Sequence, residues 1–262
     1  MAENQTVMFH STIFGPIRSR RLGVSLGINL SPTDGKVCSF DCLYCEAGYN
    51  SQGAGSAGLP DEERVLGDLE SKLRDMREKG ESLDVITFSG NGEPTLHPKF
   101  PEIVDGVLTL RDRYFPRAKV SVLTNSTRIF TPRVAEALKR VDNNILKLDS
   151  AIEETMRLID RPNDRDFTVE RTVEALKQFA GTGIIQTMFL RGSHDGKPVD
   201  NTTPAEIEAL IEAYKAIRPA SVMIYSLDRS TPEEKLVKVP REELEVIASR
   251  ISEATSIPVT VS

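Results

Sequence analysis

The chain has 262 residues, 39% of them hydrophobic and 27% charged, a composition that supports a folded protein with a sizeable core and excludes a disordered or fibrous one. No apolar run approaches the roughly 18 residues of a membrane span, and the opening MAENQTVMFH has neither a basic nor an apolar leader character, so a cytoplasmic location without a membrane partner is expected. A net charge of −6 and a pI near 5.3 disfavour broad electrostatic binding of nucleic acid, although a local basic patch is compatible with both.

In chain order, Arg18, Arg20 and Arg21 form a short basic cluster ahead of an apolar run at 22–29 that predicts a first strand. Such a trio is as readily a salt-bridged strand entry as a phosphate site. All three cysteines follow in one stretch, Cys38, Cys42 and Cys45. Val65, Leu66, Leu69, Leu73 and Met76 then repeat at helical spacing. The β-rich run 84–88 leads into Ser89, Gly90, Asn91, Gly92, Glu93 and Pro94, and the run 119–123 leads into Thr124 and Asn125. Thr131 and Pro132 open a helix bearing Val134 and Leu138. The run 144–148 precedes Asp149 and Ser150, and a helix bearing Val173, Leu176 and Phe179 ends at Gly181 and Gly183. Arg191 follows the run 185–190. Thr203 as N-cap, Pro204 at the first helical position and Glu206 three residues after the cap predict a capping box, opening a helix with Ile207, Leu210, Ile211, Tyr214 and Ile217 on one face. The run 221–225 ends at Tyr225. Pro240 opens a last helix with Leu244, Ile247 and Ile251, ahead of a terminal strand within 240–262.

Strands alternating with helices at intervals of roughly 30 to 40 residues are successive βα units, read here as one α/β domain over 1–262 with its core at 15–228. Right-handed crossovers turn six such strands into an open doubly wound sheet or a curved, incomplete barrel. In either, the residues after each strand's carboxyl end converge on one rim, where ligands bind.

Three thiolates at spacings of four and three residues, odd in number and crowded together, argue against disulfides and for a metal site in a reducing compartment. An iron–sulfur cubane ordinarily takes four cysteines, and this chain has no fourth, so one iron would be left for a small chelating molecule. The alternatives are a zinc site completed by water or by His10, His97 or His194, and inert buried thiols. Structural zinc favours paired C-x2-C knuckles, and this chain has a single triplet.

The C-x3-C-x2-C pattern with Tyr44 before the last cysteine, followed after the second strand by the Gly90–Pro94 turn, resembles the signature of the radical S-adenosylmethionine (SAM) superfamily. That resemblance implies a partial (β/α)6 barrel of parallel strands. It implies an enzyme in which a 4Fe-4S cluster cleaves S-adenosyl-L-methionine to a 5′-deoxyadenosyl radical that abstracts hydrogen from a substrate. By the same resemblance Cys38, Cys42 and Cys45 are the metal ligands, and Tyr44 contacts adenine. Asn91, Gly92 and Glu93 lie at the turn that receives the cofactor's amino group. Asn125, Asp149 and Ser150 sit where ribose and the methionine carboxylate are bound, and Arg191 and Tyr225 are further rim residues. A low-potential electron donor such as flavodoxin or ferredoxin is the implied partner.

The stretches 15–23, 89–98 and 225–229 also resemble the bacterial group related to wyosine synthases, enzymes that build a tricyclic base in transfer RNA. The first 37 residues hold no cysteine for the second cluster those enzymes use, and the chain is acidic. Three readings therefore stand: radical chemistry on a small molecule or RNA base, activation of a protein partner, and a metal-binding module without catalysis.

Overall fold

The computed structural model describes residues 7–19 and 23–262. Strand β1 (Ile13–Ser19) turns back antiparallel onto β2 (Gly23–Ile28), and the run expected at 22–29 is thus seen from residue 23. Arg20, Arg21 and Leu22 lie outside the described residues. After the cysteine loop come α1 (Glu62–Glu78), β3 (Val85–Phe88), α2 (Phe100–Tyr114), β4 (Lys119–Thr124), α3 (Pro132–Arg140) and β5 (Asn143–Lys147). They are followed by α4 (Glu153–Asp160), α5 (Val169–Leu176), β6 (Ile184–His194), β7 (Lys197–Asp200), α6 (Pro204–Ile217) and β8 (Ser221–Ser226). The described chain ends with β9 (Leu236–Lys238), α7 (Arg241–Thr255) and β10 (Val259–Val261).

The strands run in the order β1, β2, β3, β4, β5, β6, β8, β10, so among the described residues the sheet stays open between β1 and β10 and forms part of a barrel. From β2 to β10 every neighbouring pair is parallel. The six expected strands are thus joined by a seventh parallel one, β10. The unforeseen short strands β7 and β9 pair antiparallel with the carboxyl half of β6, which runs on to His194.

Period-two alternation divides each strand between two environments. Outward residues such as Leu26, Ile86, Phe88, Val120, Val122 and Leu146 join one apolar core beneath the helices. The helical stripes complete it: Val65, Leu69, Leu73 and Met76 of α1 are fully buried, as are Leu210 and Tyr214 of α6. The inner face carries polar side chains that satisfy one another, with Ser25 Oγ 3.0 Å from Thr87 Oγ1 and Asn143 donating to Ser121 Oγ at 2.9 Å. A second apolar cluster, including Phe40, Leu43, Tyr44, Met156, Ile159 and Met188, caps the barrel end that carries the cysteines.

The capping box at α6 forms by half. Thr203 accepts from the Glu206 N–H at 3.3 Å, whereas the Glu206 carboxylate takes the Ser150 hydroxyl at 2.6 Å in place of the Thr203 N–H. A buried hydroxyl on the next loop outcompetes an amide on the helix's own first turn, and the cap becomes a brace between α6 and the rim.

Candidate active site

The cysteine loop follows β2 and is clamped on both sides through its backbone. On one side Val37 bridges Gly92: Glu93 N–H donates to Val37 O at 3.0 Å, and Val37 N–H to Asn91 O at 3.3 Å. A Cβ at Gly92 would lie 1.9 Å from Val37 O, so only glycine allows the approach. On the other side Leu43 N–H donates to Ile159 O at 2.9 Å, and Asp41 N–H to Asp160 O at 3.1 Å, at the end of α4. Lys36, buried to 4% exposure, ties the loop's two ends by donating to Gly48 O at 2.6 Å.

Inside this frame the three thiols are free. Burial and the nearby Glu93 carboxylate push the Cys38 thiol up to about 11. Burial also raises Cys42, against the opposing pull of Lys147. Cys38 and Cys45 both act on Cys42 electrostatically, which places the three sulfurs in one electrostatic neighbourhood. Two nitrogen donors face them: Asn125 Nδ2 is 3.6 Å from Cys38 Sγ and Lys147 Nζ is 3.5 Å from Cys42 Sγ. Soft sulfur ligands on one anchored loop, with N–H groups ready to take up thiolate charge, suit an iron–sulfur cluster with three cysteine ligands. Among the described residues no three His, Cys, Asp or Glu side chains are gathered as a single ion would need; a cubane makes a different demand, one thiolate on each of three irons.

The other expected residues divide by what engages them. Glu93, 4% exposed, spends its carboxylate on Thr95 N–H (3.0 Å), Thr95 Oγ1 (2.5 Å), Thr124 Oγ1 (2.7 Å) and Asn125 N–H (2.6 Å). Burial raises its pKa against those four donors. It therefore braces the turn after β3 against the end of β4, and it is the backbone of that turn that faces the loop. Asn91, fully buried, donates to Phe9 O and Pro32 O and accepts from Phe9 N–H, so its amide ties the turn to the segments around Phe9 and Pro32. Asn125 joins the two motifs, donating to Ser39 Oγ at 2.9 Å as well as reaching Cys38.

Asp149 receives the Met188 N–H at 2.8 Å on one oxygen, and the Tyr44 hydroxyl and Lys147 on the other. The Tyr44 hydroxyl is driven up by burial and by the Asp149 charge, so it stays protonated and donates. Ser150 Oγ accepts the Ile152 N–H at 2.9 Å in the turn ahead of α4 and donates to Glu206. Tyr44 also walls a cavity of about 160 Å³ together with Met188, Tyr225, Leu227, Arg229 and Lys238. Arg191, expected on the rim, lies within β6 and pairs with Glu243 and Asp200, with Thr202 Oγ1 at 2.9 Å; its role is to tie β6 to α7.

Three site residues were not foreseen. Lys147 and Asp160 meet at Cys42, with Asp160 Oδ1 3.5 Å from both the sulfur and the ammonium. Burial would lower the Lys147 pKa, but Asp149, Cys42 and Asp160 together raise it well above the ordinary lysine value. Burial and the Asp149 charge push Asp160 up, which Lys147 only partly offsets. Asn201, fully buried, donates to Asp149 O at 2.8 Å and Met188 O at 2.7 Å and accepts from Leu190 N–H at 2.9 Å, fixing the strand end that carries Asp149.

Residues 33–196 match the family described as the Radical SAM superfamily. A protein named GTPase Obg from Brachyspira hyodysenteriae is 28% identical over 253 residues, covering 95% of this chain, and the chain spans 35% of that protein's length. A UPF0026 protein of Methanocaldococcus jannaschii is 31% identical over 236 residues, 88% of this chain and 68% of the relative. Among solved structures, that of TYW1 with a lysine-pyruvate adduct bound superposes with a TM-score of 0.61 at 15% identity, over 90% of this chain and 76% of that one, a likeness of fold. No helix among the described residues is long and apolar enough to cross a membrane.

Proposed function

The chain belongs to the radical SAM superfamily, whose enzymes use a 4Fe-4S cluster and S-adenosylmethionine, and from that premise we propose that Cys38, Cys42 and Cys45 hold the cluster and that the rim around Tyr44, Gly92, Asn125 and Asp149 receives the cofactor. When bound, the cluster supplies the electron that splits the cofactor's sulfonium into methionine and a 5′-deoxyadenosyl radical. The observation that supports the proposal is the double clamp on the cysteine loop, which joins the loop to the Gly92 turn next to Cys38 and to the end of α4 next to Cys42, with the Asn125 amide at Cys38 and the Lys147 ammonium at Cys42.

In this reading each residue has a limited task. The Gly92 turn offers backbone groups where its lack of a Cβ permits close approach. Tyr44 presents its ring to the adjoining cavity, a suitable place for adenine, while its hydroxyl is anchored on Asp149. Asp149 and Ser150 are held by Met188, Asn201 and Glu206, a rigid seat for a hydroxyl-bearing ribose. A low-potential one-electron donor such as flavodoxin or ferredoxin supplies the reductant, and a reducing compartment such as the cytoplasm suits three free thiols. The substrate is read as a small molecule or an RNA base, in a reaction of the wyosine-synthase kind. The sequence stretches 15–23, 89–98 and 225–229 support that finer reading, and the net charge of −6 counts against a large RNA.

The test is anaerobic reconstitution. Close to four irons and four sulfides per chain are expected, lost in Cys42→Ala, with slow formation of 5′-deoxyadenosine from S-adenosylmethionine under strong reductant. Stoichiometric zinc without sulfide in anaerobically purified protein would refute the cluster, and a fully loaded protein that never makes 5′-deoxyadenosine would refute the activity.

A further inference from the structure

Among the described residues Lys147 brings an ammonium within hydrogen-bond range of a cysteine sulfur. Its ammonium lies 3.5 Å from Cys42 Sγ, 3.2 Å from Asp149 Oδ2 and 3.5 Å from Asp160 Oδ1, in contact with the Tyr44 hydroxyl and 4.5 Å from the centre of the Tyr44 ring. Its side chain is 15% exposed, against 1% and 2% for the two aspartates. Moving an ammonium into such a place is costly, and a salt bridge alone is a weak reason to do so, since well-packed apolar groups often serve stability as well. Besides the two aspartates and Tyr44, the ammonium has the sulfur of Cys42 as a neighbour, a contact that a salt bridge does not explain.

Resting on the reading of the three cysteines as cluster ligands, we infer that Lys147 donates an N–H···S hydrogen bond to the Cys42 thiolate and so raises the reduction potential of the cluster. The physical reason is charge. Reduction adds an electron that is shared with the thiolate ligands, and hydrogen bonds to sulfur together with a nearby cation stabilise the more negative state. The two aspartates work the other way, because unpaired carboxylates beside the cluster would oppose electron entry. Lys147 pairs with both of them and meets Asp160 at Cys42, where Asp160 Oδ1 lies 3.5 Å from the sulfur. Asn125, 3.6 Å from Cys38 Sγ, is its uncharged counterpart on another sulfur.

An ammonium in this position has one competing use, holding the carboxylate of the cofactor's methionine. The two are separated by titrating the cluster without cofactor. Wild type, Lys147→Arg, Lys147→Gln and Lys147→Met are reconstituted, their iron and sulfide are counted, and the reduced cluster is followed by electron paramagnetic resonance against solution potential. At the potential where the wild type is half reduced, Lys147→Met should show a reduced-to-oxidised ratio lower by about tenfold, equivalent to 59 mV for one electron. Lys147→Gln should show a smaller fall and Lys147→Arg little change. Lys147→Gln keeps a donor at nearly the same volume and carries the test if the methionine variant does not fold. Fully loaded Gln and Met variants with the wild-type midpoint would overturn the inference, and a loss of S-adenosylmethionine affinity alongside that midpoint would assign Lys147 to the cofactor carboxylate. Wild-type protein that takes up no iron would overturn the cluster reading and this inference with it; an unmoved midpoint in loaded protein overturns this inference alone.

Discussion

Glu93 makes a demanding test because its two oxygens have different partners. Oε1 accepts three bonds, from Thr95 N–H, Thr95 Oγ1 and Thr124 Oγ1, while Oε2 accepts only the Asn125 N–H at 2.6 Å. Replacing Glu93 by Gln leaves the first set intact and turns an NH2 toward the Asn125 N–H. One buried donor is then unsatisfied, at a cost of about 1–3 kcal/mol. Replacing it by Ala strands two buried backbone donors and two hydroxyls that can re-aim, for about 2–6 kcal/mol, a large share of the 5–15 kcal/mol typical of a domain. In urea, with a slope of about 1–3 kcal/mol per molar, the Gln variant should lose roughly 1 M in midpoint.

The functional effect runs through Asn125, whose backbone Glu93 holds and whose amide reaches Cys38 and Ser39. Misplacing that amide should slow 5′-deoxyadenosine formation by about tenfold or more in the Gln variant, at unchanged iron content. The pH dependence has a definite sign. Burial raises the Glu93 carboxyl in the folded chain, so its contribution is complete below the unfolded value of about 4.3 and is lost as pH rises through the folded value. The stability gap between wild type and the Gln variant should therefore be widest in acid and narrow toward neutral pH. A Gln variant with wild-type urea midpoint and wild-type cleavage would refute the bracing role.

Three further outcomes follow from the same contacts. Tyr44→Phe keeps the ring and removes the hydroxyl bound to Asp149 and Lys147, so iron content should hold while stability to urea falls by about 1.5–3 kcal/mol. Asp34 accepts from Ser56 N–H and Oγ and from Ala57 N–H, which hold its carboxyl at about 2; an NMR titration should find that midpoint, with the Ser56 and Ala57 amide shifts changing as pH falls from about 4 through 2, and a midpoint near 4 would discount the contacts. Asn201→Ala removes three buried bonds at the strand end behind Asp149 and should cost about 2–5 kcal/mol and weaken S-adenosylmethionine binding, measured by urea unfolding and calorimetry.

The sequence carried the parallel strands because each has an apolar outward face and a length of a few residues, and it carried α1 and α6 because their stripes hold to helical spacing. It did not carry β7 and β9. Those strands are three or four residues long and mostly exposed, with Val199 the one fully buried side chain among them, so they pair with the far half of β6 without an alternating pattern that would distinguish them from loop. Arg191 was misplaced for the same reason: with β6 ended at 190 it falls on the rim, whereas the strand continues and the side chain turns to Glu243.

Within the site, legibility followed whether a role depends on a side chain of unusual type. Cysteines are conspicuous, and Gly92 has to be glycine because of the Val37 carbonyl. The opposite clamp uses the carbonyls of Ile159 and Asp160, groups that any residue supplies, so it leaves no trace in the sequence. Lys147 and Asp160 are ordinary charged residues, 105 and 118 positions from Cys42, and only the curvature of the sheet together with the end of α4 brings them to its sulfur. Motifs therefore locate the atoms that would bind a ligand, while the charges that set the ligand's properties arrive through the fold. In this chain those charges stand at Cys42, and a change in the cluster's electronic behaviour is to be sought first in β5 and α4, outside the cysteine motif.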